Sequence, residues 1–115
     1  MASPPEEFAI SADQRDGSVQ LTLRGELDLA TAPELEQLVN ERIDAGDEVV
    51  VDLRPLEFMD SSGIRVLVAA HARAGRTGTR LIVVRPKSDS AVAKIVEVSG
   101  LESELNIVDD PAKVA

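Results

Sequence analysis

Two short runs, EVVVDL at 48–53 and LIVV at 81–84, restrict the fold more than any other feature of the chain. Neither alternates polar with apolar residues, so neither has a face to leave in water. Runs of this kind belong to interior strands covered on both sides, and such strands are normally parallel. Parallel neighbours need a long crossover, usually a helix, and the crossover is right-handed. The segments before each run supply one. In TAPELEQLVNERIDAG, residues 31–46, Leu35, Leu38, Val39 and Ile43 fall on one helical face. Thr31 and Glu34 have the spacing of a capping box, Pro33 sits in the first turn, and Gly46 stops the helix. Between the two runs, Ile64, Leu67, Val68 and His71 share a face that Val66, Ala69 and Ala70 widen, which makes this second helix deeply buried.

The remainder fits around that frame. Phe8, Ile10 and Ala12, then Val19, Leu21 and Leu23, alternate with polar or small neighbours, the period of half-exposed strands. DQRDG between them reads as a hairpin turn. RPLEFMD at 54–60 reads as a connecting loop. PKSDSAVAKIVEVSG at 86–100 reads as a third helix, capped by Ser88 or Ser90, striped by Val92, Ile95 and Val96, and ended by Gly100. ELNIVDD is a last strand, and DPAKVA forms one more helical turn. The order β-β-α-β-α-β-α-β-α predicts an α/β fold with a mixed, mainly parallel sheet, an antiparallel N-terminal hairpin at its edge and flanking helices. Met1–Glu7 is a Pro-rich flexible leader, and residues 8–115 form a single domain.

Charge and composition exclude several functions. The net charge is −9. That opposes binding to phosphate backbones and to anionic membranes, so neither nucleic acid nor membrane is an expected partner. The chain has no tyrosine or tryptophan and two phenylalanines, hence no aromatic platform for bases. It has no cysteine and one histidine, so neither a thiol nucleophile nor a usual zinc site is expected. No apolar stretch approaches the roughly 20 residues of a membrane helix, and the N-terminus lacks the pattern of a signal peptide. A cytoplasmic location is expected. Nor does an enzyme emerge. GRTGTR lacks the spacing of a phosphate-binding loop. His71 and Ser61 lie ten residues apart on one helix, about 15 Å, too far for a catalytic pair. No cofactor is implied.

What remains is Asp60-Ser61-Ser62-Gly63, at the junction of RPLEFMD and the second helix. A helix start has unpaired N–H groups, and Asp60, Ser61 or Ser62 can each accept from them. Capping accounts for one of these side chains. It leaves the second hydroxyl beside a glycine without a task, and on composition and spacing alone capping is still the first reading.

GELDLATAPEL at 25–35 and VVVDLRPLEFMDSSGIRVL at 49–67 resemble the STAS-domain family of anti-sigma factor antagonists. The resemblance runs from the hairpin through the third helix. It implies a protein that is not an enzyme but a partner and a substrate: it binds an anti-sigma factor that is also a serine kinase, and so frees a sigma factor. The kinase then phosphorylates the first serine of the motif, here Ser61, and a metal-dependent serine phosphatase reverses the step. Asp28, Thr31, Asp60, Ser61, Ser62, Gly63 and Ile64 are the expected partner-binding residues. Each has a structural role to weigh against that one. Asp28 can stabilise the turn before Thr31, and Thr31 can cap the first helix. Asp60 can cap the second helix or orient the Ser61 hydroxyl, and Ser62 is expected to cap the helix rather than accept phosphate. Gly63 can admit a partner or pack tightly on the sheet, and Ile64 can join the core. The rival reading is a STAS regulatory or scaffold module, in a stress-signalling or transport assembly, that is never phosphorylated.

Overall fold

A computed structural model describes residues 7–15 and 17–111. The strands are β1 (Ala9–Arg15), β2 (Ser18–Leu27), β3 (Glu48–Asp52), β4 (Leu56–Met59), β5 (Leu81–Val84) and β6 (Asn106–Val108). The helices are α1 (Ala32–Asp44), α2 (Ser61–Thr77) and α3 (Ala91–Ser99), with a 3-10 turn at Leu101–Ser103. The sheet runs β1-β2-β3-β5-β6, and β4 joins β2 off that path. β1 is antiparallel to β2 and every other pairing is parallel. The expected fold class is therefore observed, with β1 at the edge. The expected leader falls largely on residues 1–6 and the final helical turn on 112–115, both outside the described residues.

The two apolar runs occupy the centre. Val49 and Val51 of β3, with Leu81 and Val83 of β5, face the layer formed by α1, α2 and α3. There they meet Leu35, Val39, Ile43, Leu67, Ala70, Val92 and Val96. Val50, Ile82 and Val84 turn to the other face and are also buried, with Val108 packed against them. Both faces of these strands are thus dry, as continuous apolar runs require, although α1–α3 cover only one of them. Asp52 is the buried polar residue at the end of β3. Its carboxylate accepts from Arg54 Nε at 3.0 Å, Arg54 Nη2 at 2.8 Å and the Arg54 backbone N–H at 3.0 Å.

Two local expectations are corrected. RPLEFMD is not all loop, because Leu56–Met59 form β4 and pair with β2. Thr31 occupies the N-cap of α1 but makes no side-chain capping bond, so the capping box with Glu34 does not form. Its hydroxyl is engaged elsewhere, in the turn that precedes the helix.

β2 carries the feature that places the site. Residues 18–22 pair with β3, while 25–27 pair with β4, and the register shifts between Gly25 and Glu26. Gly25 has φ +84°, and a Cβ there would stand 2.7 Å from the Glu7 carbonyl oxygen. Only glycine fits both the left-handed backbone and that close approach. The bend lets one strand serve two parallel partners in succession.

The helical layer is tied by a pair between distant segments. Arg73 of α2 donates to Asp44 of α1 through Nε at 2.8 Å and Nη2 at 2.5 Å. Hydrogen bonds from Arg73 hold the Asp44 carboxyl below its usual value. A depressed carboxylate contributes stability above its unfolded pKa, near 4, and loses it as pH falls through the folded value. Asp44→Asn is therefore expected to melt below wild type at neutral pH, with the gap closing as pH falls below about 4. Because the pair is solvent-exposed, high salt should narrow the gap as well. Thermal melts of both proteins from neutral to acid pH check this.

Candidate functional site

β2 and β4 run parallel and end together, with Leu27 opposite Met59. The Asp60 N–H donates to the Leu27 carbonyl at 3.2 Å, so the ladder continues one step beyond the strands. That pairing sets the turn after β2 beside the start of α2. GELD and MDSSG, more than thirty residues apart in sequence, become one surface.

The first half of that surface is a locked turn. One Asp28 carboxylate oxygen accepts from the Ala30 N–H at 3.0 Å and the Thr31 N–H at 3.1 Å. Thr31 Oγ1 accepts from the Asp28 N–H at 2.9 Å and donates to the Glu26 carbonyl at 2.9 Å. Asp28 and Thr31 thus fix each other and hold Leu29 out in solvent, 76% exposed.

The second half is the start of α2. Asp60 is its N-cap, and the carboxylate accepts from the Ser62 N–H at 2.8 Å. The expectation that Ser62 caps the helix is corrected, since Asp60 fills that role and Ser62 supplies the backbone donor. Ser61, the first helical residue, is exposed, and its hydroxyl forms no hydrogen bond among the described residues. Gly63 is buried. A Cβ there would lie 2.6 Å from Leu27 Cδ2, 2.8 Å from Met59 Cγ and 2.9 Å from Leu27 Cγ. Its task in this arrangement is to let α2 rest directly on the ends of β2 and β4. Ile64 is partly buried against the core. His71 is partly buried, and its Nδ1 has no partner among the described residues.

Between α1 and α2 lies a groove of about 260 Å³, lined by Leu29, Ala32, Pro33, Glu36, Ser62, Arg65, Val66 and Ala69. It is mainly apolar, with Ser62, the neighbour of Ser61 in sequence, and the charged Glu36 and Arg65 in its lining. Phe58 of β4, 41% exposed, pairs with Glu26 of β2 on the face of the strands opposite to Leu27 and Met59, outside this groove. Sequence reasoning singled out neither Leu29 nor Arg65 as a site residue. Leu29 had left a signal, as an apolar residue inside an otherwise polar and small turn. Among the described residues, no three metal-ligating side chains gather.

An exposed serine, two hydrogen-bonded acidic side chains and an apolar groove thus lie at one end of a small α/β domain. The chain belongs to the STAS-domain family: the family model described as "Mlab, STAS domain" matches residues 10–109. It is 27% identical over 91% of its length to 84% of the anti-sigma-F factor antagonist RsfB of Mycobacterium tuberculosis. The crystal structure of an anti-sigma factor antagonist from Mycobacterium paratuberculosis superposes with a TM-score of 0.83 at 26% identity, covering 96% of this chain and 93% of that one. SpoIIAA, an anti-sigma factor antagonist, shares the fold at 22% identity, with a TM-score of 0.75 over 92% of this chain and 93% of that one in its unphosphorylated form. Its phosphorylated form, from Bacillus, gives 0.69 at 21% identity over 92% and 96%.

Proposed function

We propose that this protein is an anti-sigma factor antagonist. It binds an anti-sigma factor that is also a serine kinase, frees the sigma factor, and is switched off when that kinase phosphorylates Ser61. A metal-dependent serine phosphatase restores the binding form. The cycle consumes ATP and places the protein in the cytoplasm. The observation that carries this reading is the Ser61 hydroxyl, exposed and unbonded on a junction that the Asp60 cap and the Leu27–Asp60 bond hold rigid. The names of the relatives support it, and so does the existence of SpoIIAA in a phosphorylated form.

The partner's footprint is the surface just described. Leu29 and the groove lining offer apolar area, and Asp28 and Asp60 stand at the same end of the sheet. Ser61, Ser62 and Thr31 lie within this patch. Gly63 and Ile64 support it from beneath, through the core. The partner surface that fits this charge is basic with an apolar centre.

Intact-mass measurement after incubation with ATP and the cognate anti-sigma kinase tests the proposal. One phosphate is expected on the wild type and none on Ser61→Ala. A wild type that binds the kinase and stays unmodified identifies the scaffold reading instead.

A further inference from the structure

We propose that Arg65 is the positioning residue for a phosphate carried on Ser61, and that in taking this role it leaves the lining of the docking groove. The inference rests on the phosphorylation reading above and adds the means by which a charge at an exposed point alters the neighbouring surface.

Ser61 and Arg65 are four residues apart on α2, so their side chains stand on one face, one turn apart. Arg15, Arg42, Arg54, Arg73, Arg80 and Arg85 each have a carboxylate partner. Arg24, Arg65 and Arg76 form no hydrogen bond or ion pair among the described residues, and of these three only Arg65 lies one helical turn from Ser61 and lines the groove. An uncommitted guanidinium thus stands one turn from the modifiable hydroxyl.

A phosphoserine carries about −1.5 to −2 charges at neutral pH. At position 61 it stands beside Asp60, whose carboxylate is already bonded to the Ser62 N–H, and near Asp28, engaged with Ala30 and Thr31. Neither carboxylate can welcome it. Arg65 can, because a guanidinium offers two parallel donors to phosphate oxygens. Swinging toward residue 61 takes its side chain from the groove shared with Leu29, Pro33, Val66 and Ala69. The modification then changes both the charge and the outline of the docking surface with no backbone movement.

The test installs phosphoserine at position 61 during translation, without any kinase, in the wild type, Arg65→Gln and Arg65→Lys. A ³¹P titration reads the phosphate's second pKa. A neighbouring cation favours the dianion, so the value in the wild type is expected to lie roughly 0.2–0.4 pH unit below that in Arg65→Gln, with Arg65→Lys between them. The Val66 methyl resonances should shift on phosphorylation in the wild type and shift less in Arg65→Gln. Equal phosphate pKa values in wild type and Arg65→Gln overturn the proposal. Because the phosphate is placed directly, that result stands apart from the kinase experiment. A kinase that leaves Ser61 untouched defeats the antagonist cycle, whereas equal pKa values defeat the role of Arg65 alone.

Discussion

Gly63→Ala is expected to lower the melting temperature by about 10 °C. Elsewhere in a helix the same change would stabilise, since alanine is favoured over glycine by about 1 kcal/mol. Here the new methyl would approach Leu27 Cδ2 and Cγ and Met59 Cγ at 2.6, 2.9 and 2.8 Å. Leu27 and Met59 are 0% and 1% exposed, so neither has solvent to move into. Leu27 Cγ is a branch point close to the backbone, and it cannot yield by a rotamer change at the side-chain tip. Overpacking of a tight core costs about 1–3 kcal/mol, and three contacts this short put the cost at the upper end. Less the helix-propensity gain, the net loss is about 2 kcal/mol, and a domain near this size loses roughly 4–8 °C per kcal/mol. Urea and thermal unfolding measure it. A melting temperature equal to or above wild type would show that α2 is free to lift from the strand ends.

The consequence extends to binding, because Leu27 and Met59 are the last residues of β2 and β4. Whatever displaces them moves Asp28 and Asp60, which come next in sequence. The folded fraction of Gly63→Ala should show amide-shift changes at residues 28–31 as well as 60–65, the two halves of the surface responding together.

Periodicity made most of this fold legible. The apolar runs that became β3 and β5 could not have been half-exposed, and the stripes of α1 and α3 fall on their buried faces. The reading of α2 as deeply buried is corrected: it buries the single face of Gly63, Val66, Leu67, Ala70 and Ala74, while Ile64, Val68 and His71 are half-buried and Ala69 is exposed. β4 was hidden for a physical reason. Its four residues, Leu56 to Met59, show buried, exposed, exposed, buried, which has neither the strand nor the helix period. It is a strand because β2 bends at Gly25 to meet it, at a backbone that only glycine can adopt against the Glu7 carbonyl. Thr31 was misread because a hydroxyl can hold only a few bonds at once. The Asp28 N–H and the Glu26 carbonyl claimed it before the first turn of α1 could. The site divides along the same line. Asp60, Ser61 and Ser62 are neighbours in sequence, so their role at a helix start was readable. The groove joins Leu29 and Pro33 to Arg65 and Val66 across more than thirty residues, and nothing local marks that meeting.

If the proposed cycle holds, Ser61→Asp is expected to weaken binding to the proposed anti-sigma kinase about a hundredfold, a loss of roughly 3 kcal/mol, while leaving the fold intact. Phosphorylation, with its larger charge, should cost about 4 kcal/mol, or a thousandfold. The fold is spared for two reasons. Residue 61 is exposed, where substitutions usually change stability by less than about 0.5 kcal/mol, and a helix N-terminus favours negative charge. The loss must therefore arise in the complex. In the proposed complex the partner covers residue 61 and excludes water, so that an added charge either finds a cation or remains desolvated and unpaired. Titration calorimetry with the kinase gives the affinity, and amide shifts of the free protein give the extent of structural change. Unchanged affinity would remove the electrostatic basis of the switch. Shift changes spread through β3 and β5, rather than gathered at the start of α2 and the turn after β2, would move its origin from the interface into the fold.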